Sequence, residues 1–223
     1  MNNSNRACKL SAVALYVKNP NTALAEAPLA KVLGAHKAKT LLTMSLSEVR
    51  VQLSDELRKE ADVYICPEGA EDASWAQTFW NLPLLPQGAG AMENRLFQTY
   101  QTLKASYEKV LIVVAATPHL TEDCLLANLQ VLDRDEIVIG PSEDGGFYAL
   151  GGRIQELPTQ NSSIRWNTAA TLLDMLRTFN RASLRVGLGP RSFELSTVSD
   201  LMKLEKNLPR FYSQFMQATA SVN

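Results

Sequence analysis

Residues 110–115, VLIVVA, constrain this chain more than any other stretch. Six consecutive apolar residues without polar alternation do not suit a strand with one wet face. They suit a strand buried on both faces, as in the middle of a parallel sheet. Such a sheet needs helices above and below it, so helical and extended segments should alternate along the chain.

They do alternate. Residues 10–17 (LSAVALYV), 61–66 (ADVYIC), 136–139 (EIVI), 147–150 and 184–188 read as short strands. The first closes at Lys18-Asn19-Pro20 and the second at Pro67-Glu68-Gly69, both turn signals. Helical spacing fills the intervals. One long helix is expected over 35–58, with Leu41, Leu46, Val49, Leu53 and Leu57 along it. A second carries Met92, Leu96, Tyr100 and Leu103 on one face, and Thr121 caps a third, with Leu120 and Leu125 placed as a hydrophobic staple. Thr168 opens a fourth, and Thr197 with Asp200 has capping-box spacing for a fifth. Residues 69–86 read as irregular, with Trp75, Phe79 and Trp80 a packing patch rather than a ligand platform. The expectation is an α/β three-layer sandwich with a mostly parallel central sheet. It forms one domain over 1–223, with a core over about 10–205 and a loose tail after Pro209.

Composition narrows the function. Hydrophobic residues at 46% and charged residues at 20% suffice for a sizeable core. With 22 basic and 23 acidic side chains the net charge is -1, and no basic stripe offers itself to nucleic acid. No apolar run has the length of a membrane span, and the first ten residues lack the apolar centre of a signal peptide, so a cytoplasmic protein is expected. Cys8, Cys66 and Cys124 lack metal-ligand spacing and read as reduced thiols. His36 and His119 are not spaced as ligands either.

In open α/β sheets, ligands bind outside the carboxyl ends of the strands. Residues 18–28, 67–69, 115–119 and 140–146 should meet there. The last segment pairs two carboxylates, Glu143 and Asp144, with Gly145 and Gly146. The acids suit a metal ion or a sugar hydroxyl, and the glycines suit close approach of backbone amides to a ligand. A plain turn with two solvated acids has the same sequence.

Residues 139–148, IGPSEDGGFY, resemble the G-P-A-E-D-G-G-Y-Y segment of the arsenosugar-biosynthesis-type glycosyltransferases. These are GT-A-type transferases similar to the 2-phospholactate guanylyltransferases. Gln87-Gly88-Ala89-Gly90 with Glu93 and Arg95 resembles the same family's Q-G-x-G-x-x-x-E-R block, and residues 164–168 (IRWNT) its I-x-W-S-T segment. The resemblance implies a nucleotide-diphospho-sugar transferase fold. It also implies a substrate site at Lys18, Gln87, Gly88, Arg95, Gly145, Gly146 and Trp166, with Asp144 and Glu143 as catalytic candidates.

Departures from the pattern fall on phosphate and metal handling. Where the family's first loop reads K-T-R-L, this chain has Glu26, Ala27, Pro28 and Leu29. Where the third strand should end in a metal-binding Asp, Ala116 stands, with His119 replacing a second acid and Ser196 a late Asp. A carboxylate repels a diphosphate, and transfer from a nucleotide needs charge neutralisation. The resemblance therefore implies a degenerate transferase with a binding or regulatory role and no cofactor. The alternative is an active glycosyl- or nucleotidyltransferase with an atypical site, using magnesium or manganese. Lys18 and Arg95 would then meet phosphate, and His119 is a general-base candidate when not simply a neighbour of the Thr121 cap. Expected partners are a small molecule, nucleotide or sugar in kind, or another protein. A phosphoacceptor receiver domain fits the alternation but lacks the acidic pair after the first strand.

Overall fold

The computed structural model describes residues 9–22, 28–115, 118–193, 195 and 197–220. Six strands form one sheet in the order β2-β1-β3-β5-β4-β6. They are β1 (Ser11–Val17), β2 (Ala61–Pro67), β3 (Lys109–Val114), β4 (Ile137–Pro141), β5 (Phe147–Gly152) and β6 (Val186–Leu188). All run parallel except β5, which is antiparallel to both β3 and β4. The 110–115 run thus lies between β1 and β5, away from either edge, as its unbroken apolarity predicts.

Alternation along the strands sends side chains to two separate cores. Val13, Leu15, Val63, Leu111 and Val113 face α2 (Ala35–Gln52), α3 (Asp55–Glu60), α4 (Ala73–Trp80) and α6 (Glu122–Val131). Ala12, Ala14, Val110, Ile112 and Leu150 face α5 (Met92–Lys104) and α7 (Thr171–Arg181). Two covered faces make three layers.

Four local expectations are corrected. The helix expected over 35–58 breaks at Leu53. Ser54 caps a new helix, its hydroxyl accepting from the Glu56 and Leu57 amides, and Glu122 also accepts from the Leu57 amide at 2.9 Å. Part of the supposedly irregular 69–86 segment is α4, with Trp75 and Phe79 stacked at 5.6 Å between ring centroids. Thr168 precedes rather than opens α7, which begins three residues later. The tail after Pro209 is not loose: it forms α9 (Pro209–Ala220), whose Phe211 and Phe215 are buried. With α1 (Pro28–Leu33), α2 and α8 (Val198–Asn207), this helix builds a third apolar cluster around Leu41, Phe193 and Leu204. Thr197 and Asp200 form the expected capping box of α8.

Cys66 is buried and reduced, Cys124 is a half-buried free thiol, and Cys8 lies outside the described residues. No helix among the described residues is long and apolar enough to cross a membrane.

Leu111 is fully buried. Leu111→Ala should therefore lower the unfolding free energy by about 3 kcal/mol, from lost transfer and the cavity left behind. Val32, on α1, is 64% exposed, and Val32→Ala should stay within about 0.5 kcal/mol. Urea titrations monitored by circular dichroism distinguish the two.

Candidate functional site

The carboxyl ends of β1, β2, β3 and β4 share one edge of the sheet, and β5 begins there. Two polar groups occupy this mouth, each with its own partners.

The first lies beyond β1 and β2. Glu68 follows β2 directly and faces two cations. One oxygen accepts from Arg95 Nη1 at 2.9 Å, and the other stands 4.0 Å from Lys18 Nζ. Arg95 reaches the mouth from the first turn of α5 and also donates to Gln87 Oε1 at 2.8 Å. Gln87 is held in turn by the Cys66 carbonyl, which accepts from its Nε2 at 2.9 Å. Lys18, Gln87 and Arg95 therefore come together, through an acid that sequence reasoning read only as part of a turn. The Arg95 Nε is buried without a hydrogen-bond partner among the described residues. The Gln98 side chain covers the Cα of Gly88. Beside this group, the Asn19 amide donates to the buried Asp72 carboxylate at 2.7 Å, tying the start of the first loop to the segment after β2.

The second group lies beyond β4. Its turn closes by hydrogen bonds from Gly145 N to the Ser142 carbonyl and from Ser142 N to the Gly146 carbonyl. Asp144 accepts from the Gly146 amide at 3.0 Å, so one of its oxygens serves its own turn. Gly145 adopts φ +85°, and a Cβ there would collide with the Ala169 carbonyl. Its own carbonyl accepts from Leu172 N at 2.9 Å and so satisfies one of the open amides at the start of α7. The close approach that Gly145 permits on its Cα side is thus made by the chain itself. Trp166 stands edge-on to Phe147, 6.0 Å between centroids. Its neighbour Arg165 forms a two-pronged ion pair with Asp174, at 2.8 and 3.0 Å.

Glu143 does not face open solvent alone. Lys203, from α8, donates to it at 2.9 Å and to Asp200 at 3.1 Å, and its ammonium lies 5.5 Å from the centre of the Phe193 ring. The His119 ring is 5.6 Å from the same Phe193 ring. The Lys203 hydrogen bond holds the Glu143 carboxyl below its usual range, and the two carboxylates raise the lysine. Lys203 was not foreseen as a site residue, and Asp200 was foreseen only as a cap. Glu26, Ala27, Ala116 and Ser196 lie outside the described residues. Among those described, no group of three or more His, Cys, Asp or Glu side chains is placed to share a metal ion.

Residues 51–168, more than half of the chain, match a family described as "Uncharacterized protein conserved in bacteria (DUF2064)". The chain belongs to this family. No curated protein matches it by sequence. In three dimensions this DUF2064 member is similar to a crystal structure from Desulfovibrio desulfuricans G20 assigned as a nucleotide-diphospho-sugar transferase. The TM-score is 0.80 at 22% identity, over 95% of this chain and 96% of that one. It is also similar to a 4-diphosphocytidyl-2C-methyl-D-erythritol synthase from Anaerococcus prevotii DSM 20548, at TM-score 0.58 and 13% identity, over 91% and 99% of the two chains. A CMP:2-keto-3-deoxy-manno-octonic acid synthetase complexed with CTP aligns at TM-score 0.53 and 9% identity, over 90% and 98%. At these identities the likeness shows the fold, that of nucleotide-diphospho-sugar transferases.

Two measurements check the site's architecture. Gly145→Ala should destabilise by at least about 1 kcal/mol, because a Cβ is strained at positive φ even before it meets Ala169. Asp174 has its carboxyl lowered to about 2 by the hydrogen bonds from Arg165. A lowered carboxyl stabilises the fold above its unfolded value of about 4 and loses that contribution as pH falls towards about 2. Asp174→Asn should therefore be less stable than the parent at neutral pH, with the difference shrinking below about pH 4. Parallel melting curves for the two proteins from pH 7 down to pH 2 would expose a constant difference, which is the contrary outcome.

Proposed function

We propose that this chain is a glycosyltransferase-like protein, akin to the arsenosugar-biosynthesis type. In this reading it keeps a small-molecule cleft at the mouth of the sheet but has lost metal-dependent transfer, and it acts by binding. The observation that carries the reading is the internal pairing of charge at both ends of the mouth. Glu68 is matched to Arg95 and Lys18, while Lys203 is matched to Glu143 and Asp200. Transfer from a nucleoside diphosphate or triphosphate requires cations aimed at the phosphates as charge develops. Here Arg95 and Lys203 are paired with the chain's own acids, and Lys18 stands near one of them. The sequence adds Glu26 and Ala116 where the resemblance implies a base and a metal-binding acid.

The ligand class favoured by this reading is a nucleotide or sugar phosphate. Its anionic part competes with Glu68 for Arg95 and Lys18, the half-exposed carboxylate being the group that gives way. A ligand that binds only the native state raises the melting temperature by mass action.

The test is a calorimetric and thermal-shift titration with CTP and UDP-glucose, each with magnesium and again with EDTA. Binding that survives EDTA, and strengthens in Glu68→Gln by about tenfold through loss of the competing anion, is the expected result. Affinity that vanishes with the chelator, or turnover of either nucleotide with magnesium, contradicts the reading.

A further inference from the structure

The near-zero net charge of the chain conceals an uneven surface. Over residues 159–193, five arginines (Arg165, Arg177, Arg181, Arg185 and Arg191) stand against one acid, Asp174. We propose that the outer face of α7 is a docking surface for the phosphodiester backbone of a single-stranded nucleic acid, held by Arg165, Arg177 and Arg181. This goes beyond the reading of the mouth and does not depend on it.

The helix places these arginines together. Thr171, Asp174, Met175 and Phe179 form the buried side of α7, and Leu173, Arg177, Asn180 and Arg181 its exposed side. Arg177 and Arg181 are one turn apart, about 6 Å along the axis. The one acid within reach is already neutralised. Arg165 grips Asp174 through Nε and Nη2, and Arg177 Nη1 stands 3.9 Å from the same carboxylate, whose side chain is only 9% exposed. That shared carboxylate brings Arg165 beside Arg177. Their side chains are 62% and 59% exposed, so the N–H groups that Asp174 does not use are open to solvent. Arg181 has no ion pair among the described residues.

The composition of the surface indicates its partner. All seven cationic residues from 110 to 202, histidine apart, are arginine, and none is lysine. A guanidinium fork meets two phosphate oxygens at once, which an ammonium does not. A protein partner needs an apolar or aromatic anchor, and the exposed side of α7 has only Leu173, at 48% exposure. An anionic membrane needs an apolar face to insert, and that face of α7 is buried against the sheet. A phosphodiester chain needs only spaced charge and donors. One row of cations on a convex helix meets one backbone rather than two.

The test follows the fluorescence anisotropy of a labelled oligouridine of about 20 nucleotides mixed with the full-length protein and EDTA, from about 50 to about 200 mM NaCl. Affinity should fall with salt at a log–log slope of about -2, as for three phosphates neutralised on a single strand. Arg177→Gln/Arg181→Gln should lose at least about tenfold in affinity at the low-salt end, and its slope should shrink by about 1.4. Lys37→Gln/Lys39→Gln removes the same charge from α2, on the other face of the sheet, and should stay within about twofold because salt screens charges at that range. Unlabelled oligouridine should displace the probe, and polyglutamate should not. Thermal melting checks each fold. If the double arginine variant does not fold, Arg181→Gln alone should reduce the slope by about 0.7. No binding by the wild type at the low-salt end, unchanged affinity in a folded arginine variant, an equal loss in the α2 variant, or equal displacement by polyglutamate would each overturn the proposal.

Discussion

The mouth of this protein depends on one reversal of direction in its sheet. Strand β5 runs antiparallel between β3 and β4. Strands β3 and β4 are parallel to each other, so β4 must end, and β5 must begin, at the edge where the other parallel strands end. The 142–146 turn therefore lies at the mouth, whatever its sequence. Burial keeps it there: Ile112, Ile139 and Leu150 pack on one face of these strands, and Val113, Val138 and Ala149 on the other. A one-residue slip of β5 would exchange its two faces and place small residues where the core needs bulk.

The electrostatics of the mouth follow from what that edge brings together. Strand ends deliver Lys18 and Glu68, helix starts deliver Arg95 and Asp200, and the β4–β5 turn delivers Glu143. At a polar edge, charges of both signs at these distances pair with each other. The individual energies are small where the groups are exposed, of order 1 kcal/mol or less. Their importance lies in what the pairing leaves for a ligand. A phosphate entering near Arg95 must compete with Glu68, and a metal ion entering near Glu143 must compete with Lys203. The apolar cluster under α8 and α9 supports the second of these pairs, since Phe193 belongs to it and offers its ring to the lysine.

Much of the architecture was legible in the sequence because it is written in local patterns. The apolar run at 110–115, the Thr121 and Thr197 caps and the Glu143-Asp144-Gly145-Gly146 turn each report on their own neighbourhood. The helix break at Ser54 had a local signal, Ser-Asp-Glu, but the swinging point is fixed by a distant partner, Glu122. Phe211 and Phe215 are four residues apart, a helical signal in the tail that is meaningful only once α2 and α8 supply a surface. The site was half legible. Lys18, Gln87 and Arg95 do come together, but Glu68, which joins them, resembles any acid in a turn. Lys203 carries no mark in the sequence beyond its place one turn after a capping acid. Its role arises from contact across 60 residues of chain, which no local pattern encodes. The packing of Gly145 is hidden for the same reason: its turn is local, whereas Ala169 arrives from the α7 side.

The central claim is that the charges at the mouth of this transferase-type fold are paired with one another. Crystals grown with both CTP and manganese, and measured near the manganese absorption edge, test it most directly. The account predicts Lys203 Nζ lying between Glu143 and Asp200, with no anomalous peak at that position. A manganese peak bridging Glu143 and Asp200, with the lysine displaced, would contradict it.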